Sequence, residues 1–155
     1  MPECVILIGL PASGKTTFYR ERFAGTHDHV SKDLMRRAGR PDERQQRLIA
    51  ASLAAGRSVV VDNTNPRRAD RGAIVATARR HGADVAAYLF ETEAGDALRR
   101  NRAREGRERV PDVAIFTVRK RLEPPDWSEG FDRIYRVRLH EAERRFEIHE
   151  MHEAH

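Results

Sequence analysis

Only three of the 29 basic residues in this 155-residue chain are lysines: Lys15, Lys32 and Lys120. The rest are arginines, whose planar forks suit phosphate and base contacts but equally follow from a high-GC codon usage. A net charge of +5 does not by itself point to nucleic acid. There is one cysteine, Cys4, so a disulfide framework is excluded, which fits a reducing cytoplasm. Its place at the start of an apolar strand makes it a buried, inert thiol. Long hydrophobic runs are missing as well. The first apolar stretch stops at Gly9, too short for a membrane span, and no basic region precedes it as in a signal peptide. The chain therefore reads as a cytoplasmic protein with no membrane partner. Its length suits one domain, large enough to bury about two-thirds of its unfolded surface without staples.

What is present begins at once. Val5-Ile6-Leu7-Ile8 runs into Gly9-Leu10-Pro11-Ala12-Ser13-Gly14-Lys15-Thr16, a complete G-x-x-x-x-G-K-[ST] phosphate-binding pattern. An apolar strand before it and a helix-forming segment after it are the context that gives the pattern a mechanism. Gly9 and Gly14 permit backbone angles and close approach that let successive N–H groups face a phosphate. Lys15 adds a mobile cation for the outer phosphates, Thr16 a hydroxyl for Mg²⁺, and the helix its positive dipole end. Ala12, Ser13 and Thr17 complete the expected ATP-binding set. The bland alternative is a glycine-rich turn between strand and helix.

Strand and helix signals then alternate. The pattern predicts a helix over 15–22, a short strand near 29–31, a helix from Pro41 ended by Gly56, and a strand over 58–61. A helix over 65–80, a strand over 85–90, a helix over 94–104, a polar loop over 105–110, a helix over 111–122 and a strand over 134–139 follow. This order implies right-handed βαβ units. The expected class is α/β: a P-loop kinase-type three-layer sandwich with a parallel sheet of about five strands, a lid at about 100–110, and a single domain over 1–155. The charged stretch 141–155 reads as a helix or frayed tail. There His149, His152 and His155 share a helix face, solvated because no carboxylate or cysteine completes a metal set.

Phosphoryl transfer needs a base, an acid near the metal, cations and a cover. Asp33 follows the short second strand, where strand ends gather at a ligand crevice, and its carboxylate can accept a hydroxyl proton. A helix N-cap is its alternative role. Asp62 ends the third strand as a Walker-B-like metal acid, or else as a turn residue ahead of Asn63-Thr64-Asn65-Pro66. Arg100 and Arg104 stand four apart on one helix face, where a lid would close over ATP. A solvated basic face is the alternative there.

These segments, in this order and spacing, resemble the 5′-hydroxyl polynucleotide kinases over roughly residues 4–140. The run Asp62-Asn63-Thr64-Asn65-Pro66, with Phe131 after Glu129-Gly130, resembles the kinase domain of the animal polynucleotide kinase/phosphatase. Val30-x-x-Asp33-x-x-Arg36 and Arg100-Asn101-x-x-Arg104 look more like the phage enzyme. The resemblance implies that Asp33 is the general base for a 5′-OH. It implies that Arg36, with Lys32, Asn63 and Thr64, contacts the acceptor, and that Arg104 with Arg100 covers the ATP phosphates. Ser31-Lys32 stands where the family usually has Asn-Arg, which keeps the charge but loses the planar fork. No phosphatase signature is present.

The reading that follows is ATP- and Mg²⁺-dependent phosphorylation of DNA or RNA 5′-OH ends in nucleic-acid repair, with no protein partner indicated. Its rivals are a kinase for a small-molecule hydroxyl and a non-catalytic nucleotide-binding subunit. Lys15, Thr16 and Asp33 serve either kinase, but a sensor has no need for a base.

Overall fold

The apolar run after the N-terminus forms β1 (Glu3–Ile8), and every residue from Cys4 to Ile8 is inaccessible to solvent. The structure is a computed structural model that describes residues 1–35 and 39–153. Burial on both faces is why this strand reads as a continuous hydrophobic run. Around it stand β2 (His27–Val30), β3 (Ser58–Asp62), β4 (Asp84–Phe90), β5 (Arg133–His140) and β6 (Arg145–Met151), in the order β2-β3-β1-β4-β5-β6. The first five strands run parallel, as expected from the sequence, and β6 returns antiparallel to β5.

The helices are α1 (Lys15–Arg22), α2 (Pro41–Ala54), α3 (Arg68–Arg80), α4 (Ala94–Arg102) and α5 (Asp112–Arg121), with short 3-10 turns at Lys32–Met35, Gly106–Glu108 and Trp127–Glu129. Strand alternation sorts the core into layers. Ile6, Ile8, Val59 and Val61 meet Ile49 and Leu53 of α2 and Ile74, Val75 and Ala78 of α3. Val5, Leu7 and Val60 meet Phe18 and Tyr19 of α1 on the other face. Leu10, Ala97 and Ile115 form a smaller core that seats α4 and α5 beside the phosphate loop. Cys4 is buried, and burial pushes its thiol up to about 12, which fits the inert reading.

The stretch 141–153 departs from expectation, and His155 lies outside the described residues. Residues 145–151 form a strand, so His149 and His152 cannot share a helix face. The physical reason is packing: Phe146 and Ile148 join the aromatic layer of Phe18, Phe90, Tyr88 and Tyr135. Alternation of those apolar residues with Glu147 and His149 is a period-2 signal that the high charge of the segment obscures.

Candidate nucleotide site

The phosphate loop is a strained piece of backbone held from several sides. Ala12 and Gly14 lie in the left-handed region, at φ 62° and 95°. Gly14 tolerates this because it has no Cβ, and a Cβ there would also stand 3.2 Å from the Phe146 ring. At Gly9 the constraint is space, since an added Cβ would come within 2.9 Å of the Phe90 Cβ. Gly9 N–H donates to the Thr64 carbonyl at 3.0 Å, and the Asn65 amide, buried at φ 43°, donates to the Leu7 carbonyl at 2.8 Å. Thr64 and Asn65 thus clamp the base of the loop.

Helix α1 follows Gly14 with no side-chain cap and no acidic residue in its first turn. Each of the other four helices carries Asp or Glu there. The positive end of the α1 dipole is therefore left to an external anion. Lys15 Nζ donates to the carbonyls of Gly9 and Leu10 at 3.0 and 2.6 Å and to Ser13 Oγ at 3.3 Å. Burial pulls its ammonium down to about 8. Asp62 and Asp33 oppose that shift, and Arg104 reinforces it.

Alternation along β3 puts Asp62 on the α1 face with Val60. Thr16 Oγ1 donates to Asp62 Oδ2 at 2.8 Å, joining the loop hydroxyl to the strand-end carboxylate. Among the described residues no group of three or more His, Cys, Asp or Glu side chains could hold a metal. An ion at Thr16 and Asp62 would draw its remaining ligands from phosphate and water, which is how Mg²⁺ is usually held. The hard oxygen pair fits that ion.

A cavity of about 270 Å³ is lined by Ala12, Ser13, Lys15, Thr16, Asp33, Asp62 and Arg104, among others. Asp33 sits in the 3-10 turn that follows β2. Its N–H donates to Ser31 Oγ at 3.3 Å, so the capping side chain of this turn is Ser31. Lys32, Asn63 and Thr64 line this cavity and also a neighbouring one of about 520 Å³, whose walls include Gln45, Pro66, Arg67 and Arg121. The Lys32 ammonium pairs with Asp42. Asn63 accepts the Lys32 N–H at 2.9 Å and donates to Gln45 at 2.6 Å, so it braces the wall between the two cavities. Arg36 lies outside the described residues.

Arg100 and Arg104 do not share a helix. Helix α4 ends at Arg102, so helical spacing no longer relates the two. Arg100 turns to the loop and the β5–β6 hairpin: Nη1 donates to the Ala12 carbonyl at 3.2 Å and Nε stands 3.5 Å from Glu141. Arg104 lines the phosphate cavity. Asn101, fully buried, exchanges two hydrogen bonds with Val110, at 2.7 and 3.0 Å, and closes the intervening connection into a loop.

Sequence reasoning missed the role of Asn101, although the residue stands within a quoted motif. Arg71 stands outside every motif of the sequence. Arg71 is fully buried and paired twice to Glu129, at 2.8 and 2.9 Å. It also donates to the carbonyls of Asn65, Pro66 and Glu123. No local pattern signals it.

A phosphate loop between a central parallel strand and the helix that follows, at the carboxyl end of a sheet covered on both faces, defines a P-loop nucleotide-binding fold. The chain belongs to the AAA_33 family, whose AAA domain model matches residues 4–125.

Two curated relatives resemble it, each in an alignment of 142 positions that covers 87% of this chain. One, from Acanthamoeba polyphaga mimivirus, is 29% identical, and the other, from Schizosaccharomyces pombe, is 25% identical. Both are named as bifunctional polynucleotide phosphatase/kinases, and the chain spans about a third (33%) of the length of each. Among solved structures, a chain of a Pnkp1/Rnl/Hen1 complex is 26% identical, with a TM-score of 0.57 over 64% of this chain and 38% of its own. A protein of Chloroflexus aurantiacus named as a kinase shares the fold at 18% identity and a TM-score of 0.72, over 92% of this chain and 87% of that one. A Sinorhizobium meliloti gluconokinase does so at 20% identity and a TM-score of 0.65, over the same 92% and 87%. The two curated relatives and the Pnkp1 complex chain bear out the resemblance to polynucleotide kinases, and the other two structures show the fold alone. Among the described residues no helix is long and apolar enough to cross a membrane.

Proposed function

We propose that this chain is an ATP- and Mg²⁺-dependent kinase that transfers the γ-phosphoryl group to the 5′-hydroxyl end of DNA or RNA, in the repair of broken ends. The observation that carries the reading is the pair of adjoining cavities. The one lined by Lys15, Thr16, Asp62 and Arg104 suits the donor phosphates, and the one beside it, walled by Arg121 and by Arg67 in its pair with Asp70, is left for an acceptor strand. Asp33 stands on the donor side, next in sequence to the shared residue Lys32.

In this reading the Asp33 carboxylate takes the proton of the acceptor hydroxyl. The hydroxyl oxygen bonds to the γ-phosphorus as the bridge to the β-phosphate breaks, and ADP leaves. Lys15 exchanges its bonds to the Gly9 and Leu10 carbonyls for phosphate oxygens, and Arg104 meets the charge spread over the transferring group. Thr16 and Asp62 would hold Mg²⁺, which when bound neutralises phosphate charge. The 103–110 connection acts as a lid anchored by Asn101 and Val110. Arg36 contributes to acceptor binding on the strength of the resemblance.

The test is transfer of label from γ-labelled ATP to a 5′-OH oligonucleotide, beside the same oligonucleotide carrying a 5′-phosphate. Label is expected on the first alone. Transfer to a small alcohol, with none to any DNA or RNA end, overturns the acceptor assignment.

A further inference from the structure

His29 belongs to no motif, and nothing in the proposed reaction uses it. It lies in β2, in register with Val60 of β3, on the sheet face that α1 covers. Its imidazole stacks on Tyr19 of α1, with ring centroids 4.0 Å apart and planes at 14°. Tyr19 is itself fixed, its hydroxyl donating to the His27 carbonyl at 2.7 Å. Held in that stack, His29 Nε2 reaches Asp62 Oδ2 at 2.8 Å. The same oxygen accepts from Thr16 Oγ1 at 2.8 Å.

A carboxylate oxygen has no proton to give, so the imidazole must donate through Nε2–H. The two donors are not equivalent. A threonine hydroxyl rotates and fixes little on its own, whereas a stacked imidazole presents its N–H in one direction. Asp62 is nearly inaccessible, its side chain 4% exposed, so water does not offer a competing set of partners. The orientation of the carboxylate is therefore set from β2, the neighbour of β3 and two strands from β1, whose end carries the loop.

We infer that His29 is a positioning residue for Asp62. By donating from Nε2 it holds the carboxylate turned toward the Thr16 hydroxyl, and so sets how tightly an Mg²⁺–nucleotide is bound. The inference rests on the nucleotide reading of the pocket and is independent of which acceptor is used. A ring that merely packs under Tyr19 makes a different prediction, because its donor would be dispensable.

The two roles separate in titrations of a fluorescent ATP analogue against wild type, H29F and H29Q, with Mg²⁺ varied and with Mg²⁺ chelated. H29F keeps a flat ring against Tyr19 but has no donor. It is expected to raise the Mg²⁺ concentration for half-maximal tightening about tenfold while leaving Mg²⁺-free affinity within about twofold. H29Q, which retains a donor, should recover most of that loss. An H29F variant that matches wild type, or that loses Mg²⁺-free affinity to the same degree, overturns the inference. Wild-type affinity that does not respond to Mg²⁺ overturns the metal-nucleotide reading and this one with it. The wild-type imidazole supplies a check that does not depend on variants folding: ¹⁵N NMR at neutral pH should show Nε2 protonated, and an Nδ1–H tautomer with bare Nε2 excludes the proposed bond.

Discussion

The Lys15 ammonium donates to the Leu10 carbonyl at 2.6 Å, so the cation of the phosphate loop is held by the loop itself. Its charge sits among carbonyl dipoles, and the residue is only 8% exposed. Burial holds the ammonium near pH 8, below its ordinary 10.5.

The sign of the resulting pH dependence is fixed. Between pH 8 and 10.5 the unfolded chain carries more protons at Lys15 than the folded one, so this group makes stability rise with pH across that window. Cys4, pushed up to about 12, acts in the opposite sense above pH 9. The difference in thermal midpoint between wild type and K15M therefore isolates the lysine, and it should widen in favour of wild type as pH rises. ATP affinity should fall as pH passes 8, because a neutral amine offers phosphate no charge. Calorimetry at two pH values on each side measures this.

Arg104 and Arg100 should separate kinetically. R104A is expected to lower kcat about a hundredfold or more, as loss of a charge aimed at the transferring group does. R100A removes a bond to Ala12 and the contact with Glu141, and should act chiefly on ATP affinity and thermal stability. Steady-state kinetics on both variants would contradict this if the two defects were alike.

D33A should lose turnover while still binding ATP, since the residue lines the phosphate cavity beside the shared residue Lys32 but is no part of the phosphate loop itself. Equilibrium binding beside a single-turnover assay distinguishes the outcomes. Loss of nucleotide binding itself would make Asp33 a structural or metal-linked residue in place of the base.

The buried pair Arg71–Glu129 should be costly to break from one side. R71M leaves the Glu129 carboxylate uncompensated and unties the carbonyls of Asn65, Pro66 and Glu123, which predicts a loss of about 3–5 kcal/mol in urea unfolding. R71M/E129L should recover part of that loss, because no lone charge then remains buried. A single variant as stable as wild type would mean that the pair is dispensable.

The last strand is testable in the same way. Phe146 packs edge-on to Phe18 at 5.1 Å, beside the first turn of α1. F146A is predicted to cost about 2–3 kcal/mol, somewhat less than a fully buried phenylalanine because its ring is partly accessible. A frayed, unpacked tail would show no change.

Most of the sandwich was legible in the sequence because its signals are local. Continuous apolar runs marked the buried parallel strands, Pro41 and Gly56 bounded α2, and the loop pattern fixed where phosphate belongs. The misses are places where a distant partner overrides a local pattern. Charge concealed the alternation of Phe146 and Ile148, and the end of α4 at Arg102 separated two arginines that helical spacing had put together. Arg71 looks like any other arginine until α3 folds it against Glu129, 58 residues away.

The sequence alone determined the P-loop, its strand and helix, and the order of the βαβ units, since each depends on residues close along the chain. Tertiary structure decided which side chains meet. Thr16 and His29 converge on one oxygen of Asp62 because three segments separated in sequence lie on the same sheet face. Lys15 turns back on its own loop because the folded site surrounds it with carbonyls and excludes water.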